Sequence, residues 1–140
     1  MTAWSVAEAG ACDLYEVLDL YDSVGWTVYT SAPSLLERAL AGSSYILQAR
    51  RAAQLIGLAR ALSDDATICY LQDVLVRPSA QRDGVGRALV QGVLDRYAGV
   101  RQKVLLTDDE PAQRAFYTSL GYVETRELGA GRLRSFVRFD

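Results

Sequence analysis

One stretch constrains this chain more than any other: Tyr70–Leu89, Tyr-Leu-Gln-Asp-Val-Leu-Val-Arg-Pro-Ser-Ala-Gln-Arg-Asp-Gly-Val-Gly-Arg-Ala-Leu. Its apolar opening predicts a buried strand, Pro78 marks a turn, and Gln81 to Gly86 forms a loop containing two glycines. The residues beyond it place Leu89, Val93 and Leu94 on one side of an amphipathic helix. A helix entered through glycines leaves its first backbone N–H groups without helical partners, aimed at whatever lies above the loop. That arrangement suits an anion.

The rest of the chain narrows which anion. At 140 residues with half of them apolar, a single domain spanning 1–140 is expected. No apolar run is long enough to cross a bilayer, and Met1-Thr2-Ala3-Trp4-Ser5 lacks the basic-then-apolar order of a signal peptide, so a cytoplasmic location and no membrane partner are expected. Cys12 and Cys69 stand alone in the sequence and there is no histidine, which argues against a metal site and a disulfide framework. Any chemistry must proceed without imidazole.

The net charge of −2 conceals an asymmetry. Residues 1–48 hold Glu8, Asp13, Glu16, Asp19, Asp22 and Glu37 against Arg38 alone. Residues 77–103 hold Arg77, Arg82, Arg87, Arg96, Arg101 and Lys103 against Asp83 and Asp95, so positive charge gathers around the loop. A phosphate-bearing small molecule accounts for this grouping better than nucleic acid does, because the chain as a whole is acidic and has no long basic stripe. Solvated surface faces are the plainer account of most individual charges.

In chain order, Trp4 to Val6 predicts a short strand, and Ala11 to Ser23 a helix with Leu14, Val17, Leu18 and Tyr21 on one face, closed by Gly25. Gly25 to Thr30 reads as an aromatic-rich linker, and Pro33 to Leu40 as a short helix capped by Ser31. Trp26 and Tyr29 either anchor the core or face a substrate, with equal weight. Ser43–Arg51 and Gln54–Ser63 form a hairpin about Ala52-Ala53, followed by a turn at Ser63-Asp64-Asp65 and a strand over Thr67–Val76. Val100–Thr107 predicts a further strand, and Pro111–Leu120 a helix with Asp109 or Glu110 near its cap. Gly121–Thr125 and Leu133–Phe139 predict two last strands about Gly129-Ala130-Gly131.

Two familiar phosphate loops are excluded. Nothing supplies the Gly-Lys-Ser/Thr of a P-loop, and Leu89 stands where a dinucleotide fingerprint needs its third glycine. What remains is Gln81-x-x-Gly84-x-Gly86 after Val74-Leu75-Val76-Arg77-Pro78, with Ala115-Phe116-Tyr117-x-x-Leu120-Gly121-Tyr122 some thirty residues later. Together these resemble the two signature segments of the GCN5-related N-acetyltransferase (GNAT) superfamily, over roughly residues 40–126 and only in outline before that. The resemblance implies an α/β fold of the GNAT acyl-CoA N-acyltransferase type, a mixed sheet of six or seven strands with about four helices. It also implies acetyl-CoA as cosubstrate and an amine as acceptor.

The loop's chemistry agrees. Gly84 and Gly86 carry no side chain, so backbone amides along Gln81, Arg82, Asp83, Gly84, Val85, Gly86 and Arg87 can close on a pyrophosphate, with Arg82 and Arg87 at the rim. By resemblance, the backbone of Val74, Leu75 and Val76 pairs with pantetheine, and one of their amides holds the thioester oxygen. An alkylamine with a pKa of about 10 must lose a proton to attack, and a thiolate whose thiol has a pKa of about 8.5 gains from one as it leaves. Tyr117 matches the family's general acid. Asp73 is the candidate base, directly or through water, and a buried carboxylate tied to an amide or an arginine is an equal alternative. Two positions depart from the family: Asp108-Asp109-Glu110 replaces a coenzyme-contacting asparagine, and Tyr70 stands near where some relatives carry a glutamate.

The reading is therefore an acetyl-CoA-dependent N-acetyltransferase that transfers directly in a ternary complex to a primary amine, on a small molecule or a protein. The alternative is a coenzyme A-binding regulatory module without turnover, against which the pairing of Tyr117 with an intact glycine loop argues. Monomer and homodimer both agree with the sequence, as does exchange of the last strand between subunits.

Overall fold

The computed structural model describes residues 3–140. Two compact units make up the chain, the first ending at Leu106 and the second running Thr107–Asp140. In the first unit, β1 (Trp4–Glu8) is followed by three helices, α1 (Leu14–Ser23), α2 (Thr27–Thr30) and α3 (Pro33–Gly42). Then come β2 (Tyr45–Arg51), β3 (Gln54–Ser63), β4 (Ile68–Val76), α4 (Val85–Arg96) and β5 (Gln102–Leu105). The five strands form one sheet in sequence order, antiparallel from β1 through β4, with β5 parallel to β4.

Each face of this sheet is covered. On one, Val17, Leu20 and Tyr21 of α1 and Leu36 and Leu40 of α3 pack with Leu55, Leu58 and Leu75. On the other, α4 buries Val85, Leu89, Val90 and Val93. Gly57 and Gly92 bring α4 close to the strands. A Cβ on Gly57 would stand 3.1 Å from Leu89 Cδ1 and 3.2 Å from both the Leu75 carbonyl oxygen and Val85 Cγ1. One on Gly92 would reach 2.5 Å from Leu47 Cδ1.

Local chemistry sets the helix ends. Asp13 caps α1 by accepting from the amides of Tyr15 (3.0 Å) and Glu16 (3.4 Å), so the helix starts at Leu14 and not at Ala11. At its other end Gly25 takes φ +77° and donates to the Asp22 carbonyl, while the Trp26 amide donates to Tyr21. This is the Schellman pattern, and the Tyr21 and Trp26 rings meet edge-on across it at 5.8 Å. The expected aromatic linker then holds one helical turn, α2. Ser31 does not cap α3: Ala32 occupies that position, Pro33 opens the helix, and the Ser31 hydroxyl donates to Val28.

The second unit contains α5 (Pro111–Ser119) and a 3-10 turn, Thr125–Leu128. Glu110 stands at the α5 cap position without a side-chain hydrogen bond. The strands expected over Gly121–Thr125 and Leu133–Phe139 are not formed, so the sheet has five strands among the described residues, not six or seven. Gly121 takes positive φ in the cap of α5, and Gly129 and Gly131 take it within the expected turn. The unit also contains no strand with which Leu133–Phe139 could exchange ladder hydrogen bonds, and Phe136 and Phe139 are exposed. No helix among the described residues is long and apolar enough to cross a membrane.

Because the Leu75 carbonyl belongs to the sheet and cannot retreat, Gly57→Val is expected to cost about 1–3 kcal/mol by overpacking. Urea denaturation measures this; a value within error of wild type would mean that α4 does not need the close approach.

Candidate active site

The site begins where β4 loses a neighbour. β4 and β5 pair from Ile68↔Gln102 to Leu71↔Leu105 and no further, whereas β4 and β3 remain paired to Gly57↔Val76. Between these two regions the β3 register jumps from Arg60↔Asp73 to Ala61↔Leu71, leaving Gln72 as an extra residue on β4. A bulge bends its strand and increases the local twist. Asp73 through Val76 are thus bonded to β3 on one side and, among the described residues, present an open edge on the other. Alternate N–H and C=O groups along that edge point away from β3, as strand geometry requires. Leu75 is buried, and Val74 and Val76 are half-buried.

This open edge runs into the glycine loop. Arg77 donates its amide to the Ile56 carbonyl at 2.7 Å, and a 3-10 turn over Pro78–Ala80 follows. The Gln81 side chain folds back so that Nε2 donates to the Val76 carbonyl at 3.0 Å, clipping the loop to the end of β4. Arg82 and Gly84 both take left-handed φ, +69° and +86°. A Cβ on Gly84 would meet nothing nearer than Trp4 at 3.9 Å, so glycine answers the backbone conformation there and not a lack of room. The first ladder bond of α4 runs from Ala88 to the Gly84 carbonyl, 3.1 Å, which places the Val85 and Gly86 amides ahead of the ladder. Val85 is buried and anchors the turn, and Arg87 is exposed.

The basic cluster is less free than its composition implies. Arg77 pairs with Asp19 at 2.8 Å and also donates to the Leu55 carbonyl. Arg96 pairs with Asp65 and lies over the Tyr97 ring, 4.8 Å from its centroid. Asp83, inside the loop, pairs with Arg51 at 2.8 Å. Exposed Arg82 remains at the loop itself.

Asp73 sits at the bulge and is 4% exposed. It stands directly opposite Arg60, which is 5% exposed, and the pair closes at 2.6 Å from Nε to Oδ2. The Tyr21 hydroxyl donates to the same oxygen at 2.9 Å, and the Tyr29 hydroxyl donates to Oδ1 at 3.3 Å. Burial works against the Arg60 charge, but the facing carboxylate together with Tyr21 and Tyr29 outweighs it and holds the guanidinium pKa above its ordinary value. Burial, reinforced by the Asp73 charge and hydrogen bond, pushes the Tyr21 phenol far above the usual tyrosine range. Both carboxylate oxygens thus have partners, one of them the arginine that the sequence reading weighed as an alternative to base chemistry. Trp26 and Tyr29 pack against the core beside Tyr21, with Tyr29 and Tyr21 rings at 5.2 Å. Burial, Asp73 and Tyr29 together raise the pKa of the nearby Tyr70 phenol.

Tyr117 belongs to the second unit, on the last turn of α5. The Gly121 amide donates to Thr118 and the Tyr122 amide to Tyr117, another Schellman cap, with Gly121 at φ +93°. The Tyr117 ring is packed between Phe116 (5.0 Å) and Tyr122 (5.8 Å). The Leu120-Gly121-Tyr122 segment is therefore the device that orients Tyr117. Burial raises the Tyr117 pKa above the ordinary phenol value.

A family model described as an acetyltransferase (GNAT) domain matches residues 17–138. The chain belongs to the GNAT acetyltransferase family. It is 30% identical over 116 residues to the uncharacterized N-acetyltransferase ycf52 of Pyropia yezoensis, and 28% identical to that of Porphyra purpurea. Each match covers 80% of this chain and 66% of the relative, so the chain spans slightly less than two thirds of the length of these relatives. Among solved structures, a GNAT-family acetyltransferase from Streptococcus pneumoniae superposes with a TM-score of 0.81 at 27% identity, covering 98% of this chain and all of the other.

The residues present fit the acetyl-CoA that GNAT enzymes use. An amide-bearing chain would meet the unpaired edge along Val74–Val76, and a pyrophosphate would meet the amides of Val85 and Gly86 in a turn that the φ of Gly84 shapes. Among the described residues no group of three or more His, Cys, Asp or Glu side chains is placed to hold a metal. Sequence reasoning missed Arg60 and Tyr21, two of the three partners of Asp73. A lone arginine in the apolar run Leu55–Leu62 and a lone aspartate in the next strand were the available signal, since each buried charge needs the other.

Removing one partner of a buried pair strands the other charge. Arg60→Met is expected to lower stability by about 3–5 kcal/mol in urea denaturation, and adding Asp73→Leu to recover much of that loss. If the double variant were as unstable as the sum of its parts, the pair would not be an energetic unit.

Proposed function

We propose that this protein is an acetyl-CoA-dependent N-acetyltransferase that passes the acetyl group directly to a primary amine, with donor and acceptor bound together. One observation carries the reading: the open edge of β4 beyond Leu71 leads without a break into the left-handed turn at Gly84 and the N-terminus of α4. A ligand that combines a chain of amides with a pyrophosphate matches those two features in that order.

Acetyl-CoA, when bound, supplies an activated thioester. The chain's own residues do the remainder. Alternate backbone groups of Val74, Leu75 and Val76 align the pantetheine arm, and an edge-facing N–H there donates to the oxygen that gains negative charge as the amine attacks. Amides of the Gly84–Gly86 turn hold the pyrophosphate, helped by the positive end of α4 and by Arg82 at the rim. The Gln81 clip on Val76 keeps cradle and rail in register. Tyr117 is the proton donor to the leaving thiolate; its raised pKa keeps the phenol protonated throughout the neutral range. Water carries the proton away from the incoming amine, since the Asp73 carboxylate is already engaged by Arg60, Tyr21 and Tyr29. Cys69 is buried, with its thiol pKa raised by burial, and suits packing better than formation of an acetyl-enzyme.

Acetyl-CoA is expected to raise the thermal unfolding temperature and to support thiol release with at least one member of a panel of amines. Absence of protection would remove the donor assignment; protection without release from any amine would favour a coenzyme-binding module. Tyr117→Phe is expected to lower kcat roughly 100-fold with little change in coenzyme affinity. Since the acid form is lost only as pH rises through a pKa above the ordinary value of about 10, the wild-type rate carries no alkaline decline from this group below that pH. Unchanged kcat in the variant would take Tyr117 out of the mechanism.

A further inference from the structure

The helical turn α2 is four residues long and buries none of them, far too little to hold its own shape in water. Two ties fix it. Its leading edge is set by the Schellman cap of α1, which brings Trp26 edge-on to Tyr21. Its far side is set by Tyr29, whose hydroxyl reaches 44 residues along the sequence to Asp73 Oδ1 and whose ring meets Tyr21 edge-on. Asp73 is the residue next to the bulge, where β4 departs from β5 and its open edge begins. The attachment of α2 therefore falls immediately before Val74–Val76, while Val28 on the same turn is 77% exposed.

The carboxylate itself is poorly suited to meeting a substrate. It is 4% exposed, paired with Arg60 at 2.6 Å, and receives a second hydrogen bond at Oδ2 from Tyr21. The Arg60 guanidinium continues to the Ser43 hydroxyl at the end of α3, 3.4 Å away. A neutralised pair so enclosed offers an incoming ammonium neither a counter-ion nor a base. It does offer a rigid point of attachment, because a cross-strand pair in the middle of the sheet cannot drift.

We propose that Asp73 is a positioning residue for the acceptor amine: through the Tyr29 hydroxyl it seats α2 against β4 and so shapes the wall that the acceptor meets beside the start of the open edge. This rests on the acetyltransferase reading. Asp73 acts on acceptor binding and not on proton transfer, and Tyr29 is the link through which it acts.

The test uses the full chain with Tyr29→Phe, which removes only the link, and Asp73→Asn, which keeps an acceptor oxygen but removes the charge and leaves Arg60 without its counter-ion, so its kinetics are read well below its own unfolding temperature. Hydrogen exchange of the proteins without ligand is expected to show faster exchange at the Tyr29–Ala32 amides in Tyr29→Phe, with α4 unchanged. In steady-state kinetics with the best amine from the panel, both variants are expected to raise the acceptor KM roughly tenfold, the scale of a hydrogen bond to a charged group. They are expected to leave kcat and the coenzyme dissociation constant within about threefold, and the double variant to be no worse than Asp73→Asn alone. Loss of kcat in Asp73→Asn with a silent Tyr29→Phe would overturn the proposal and make Asp73 a base. Unchanged exchange at Tyr29–Ala32, or additive losses in the double variant, would overturn it too while leaving the acetyltransferase reading intact. Absence of turnover by the wild type with every amine would reject that reading, and the acceptor assignment with it; the exchange result would still report the tie to α2.

Discussion

A strand that has a neighbour on both sides for half its length and on one side for the remainder is the constraint on which this structure depends. β4 pairs with β3 along the sheet and with β5 only as far as Leu71. Backbone polar groups in a covered sheet need partners, so an edge left open within a layered fold is a place for another chain of hydrogen-bonding groups. The extra residue at Gln72 marks the change. It also switches which alternate residues address which face: Leu71 lies opposite Ala61 and Asp73 opposite Arg60. Without that switch Asp73 would address the other side of the sheet, away from Tyr21.

The ion pair at the bulge is expensive in isolation, since both charges leave water, and its attraction offsets that loss only with good geometry and additional hydrogen bonds. Both conditions are met here: a 2.6 Å contact between directly opposed residues, and two phenols completing the carboxylate. What the arrangement adds is uniqueness of placement. Asp73 joins β4 to β3 through Arg60, to α1 through Tyr21 and to α2 through Tyr29, so four elements meet at one carboxylate. An apolar residue of similar size would pack there, but it would not specify where α2 sits.

Much of this was legible in the sequence, for identifiable reasons. The first hairpin, the glycine loop, α4 and the core face of α1 were readable because turn residues and apolar spacing act locally. The family followed from two motifs whose chemistry is also local: Gly84 supplies a left-handed turn, and Leu120-Gly121-Tyr122 is a helix cap. The bulge was not legible, because Cys69, Leu71, Asp73 and Leu75 are all buried and their alternation continues straight across it. The role of Asp73 was not legible either, since its partners lie on β3, α1 and α2 and are set by register. The C-terminal strands were expected over Gly121–Thr125 and Leu133–Phe139, but apolar content specifies a strand only together with a partner strand, and the unit that holds them forms none. Charge counting overstated the basic patch, as Arg77 and Arg96 have acidic partners far away in sequence.

The central claim is that the open edge of β4 and the turn at Gly84 form one continuous site for acetyl-CoA. Residue-resolved hydrogen exchange with and without saturating acetyl-CoA tests it most directly, because it reports each backbone amide separately. The account predicts new protection at edge-facing amides among Val74–Val76 and at Val85 and Gly86, with little change in β1 and β2. Protection confined to other segments, or protection at the turn without any along β4, would contradict it.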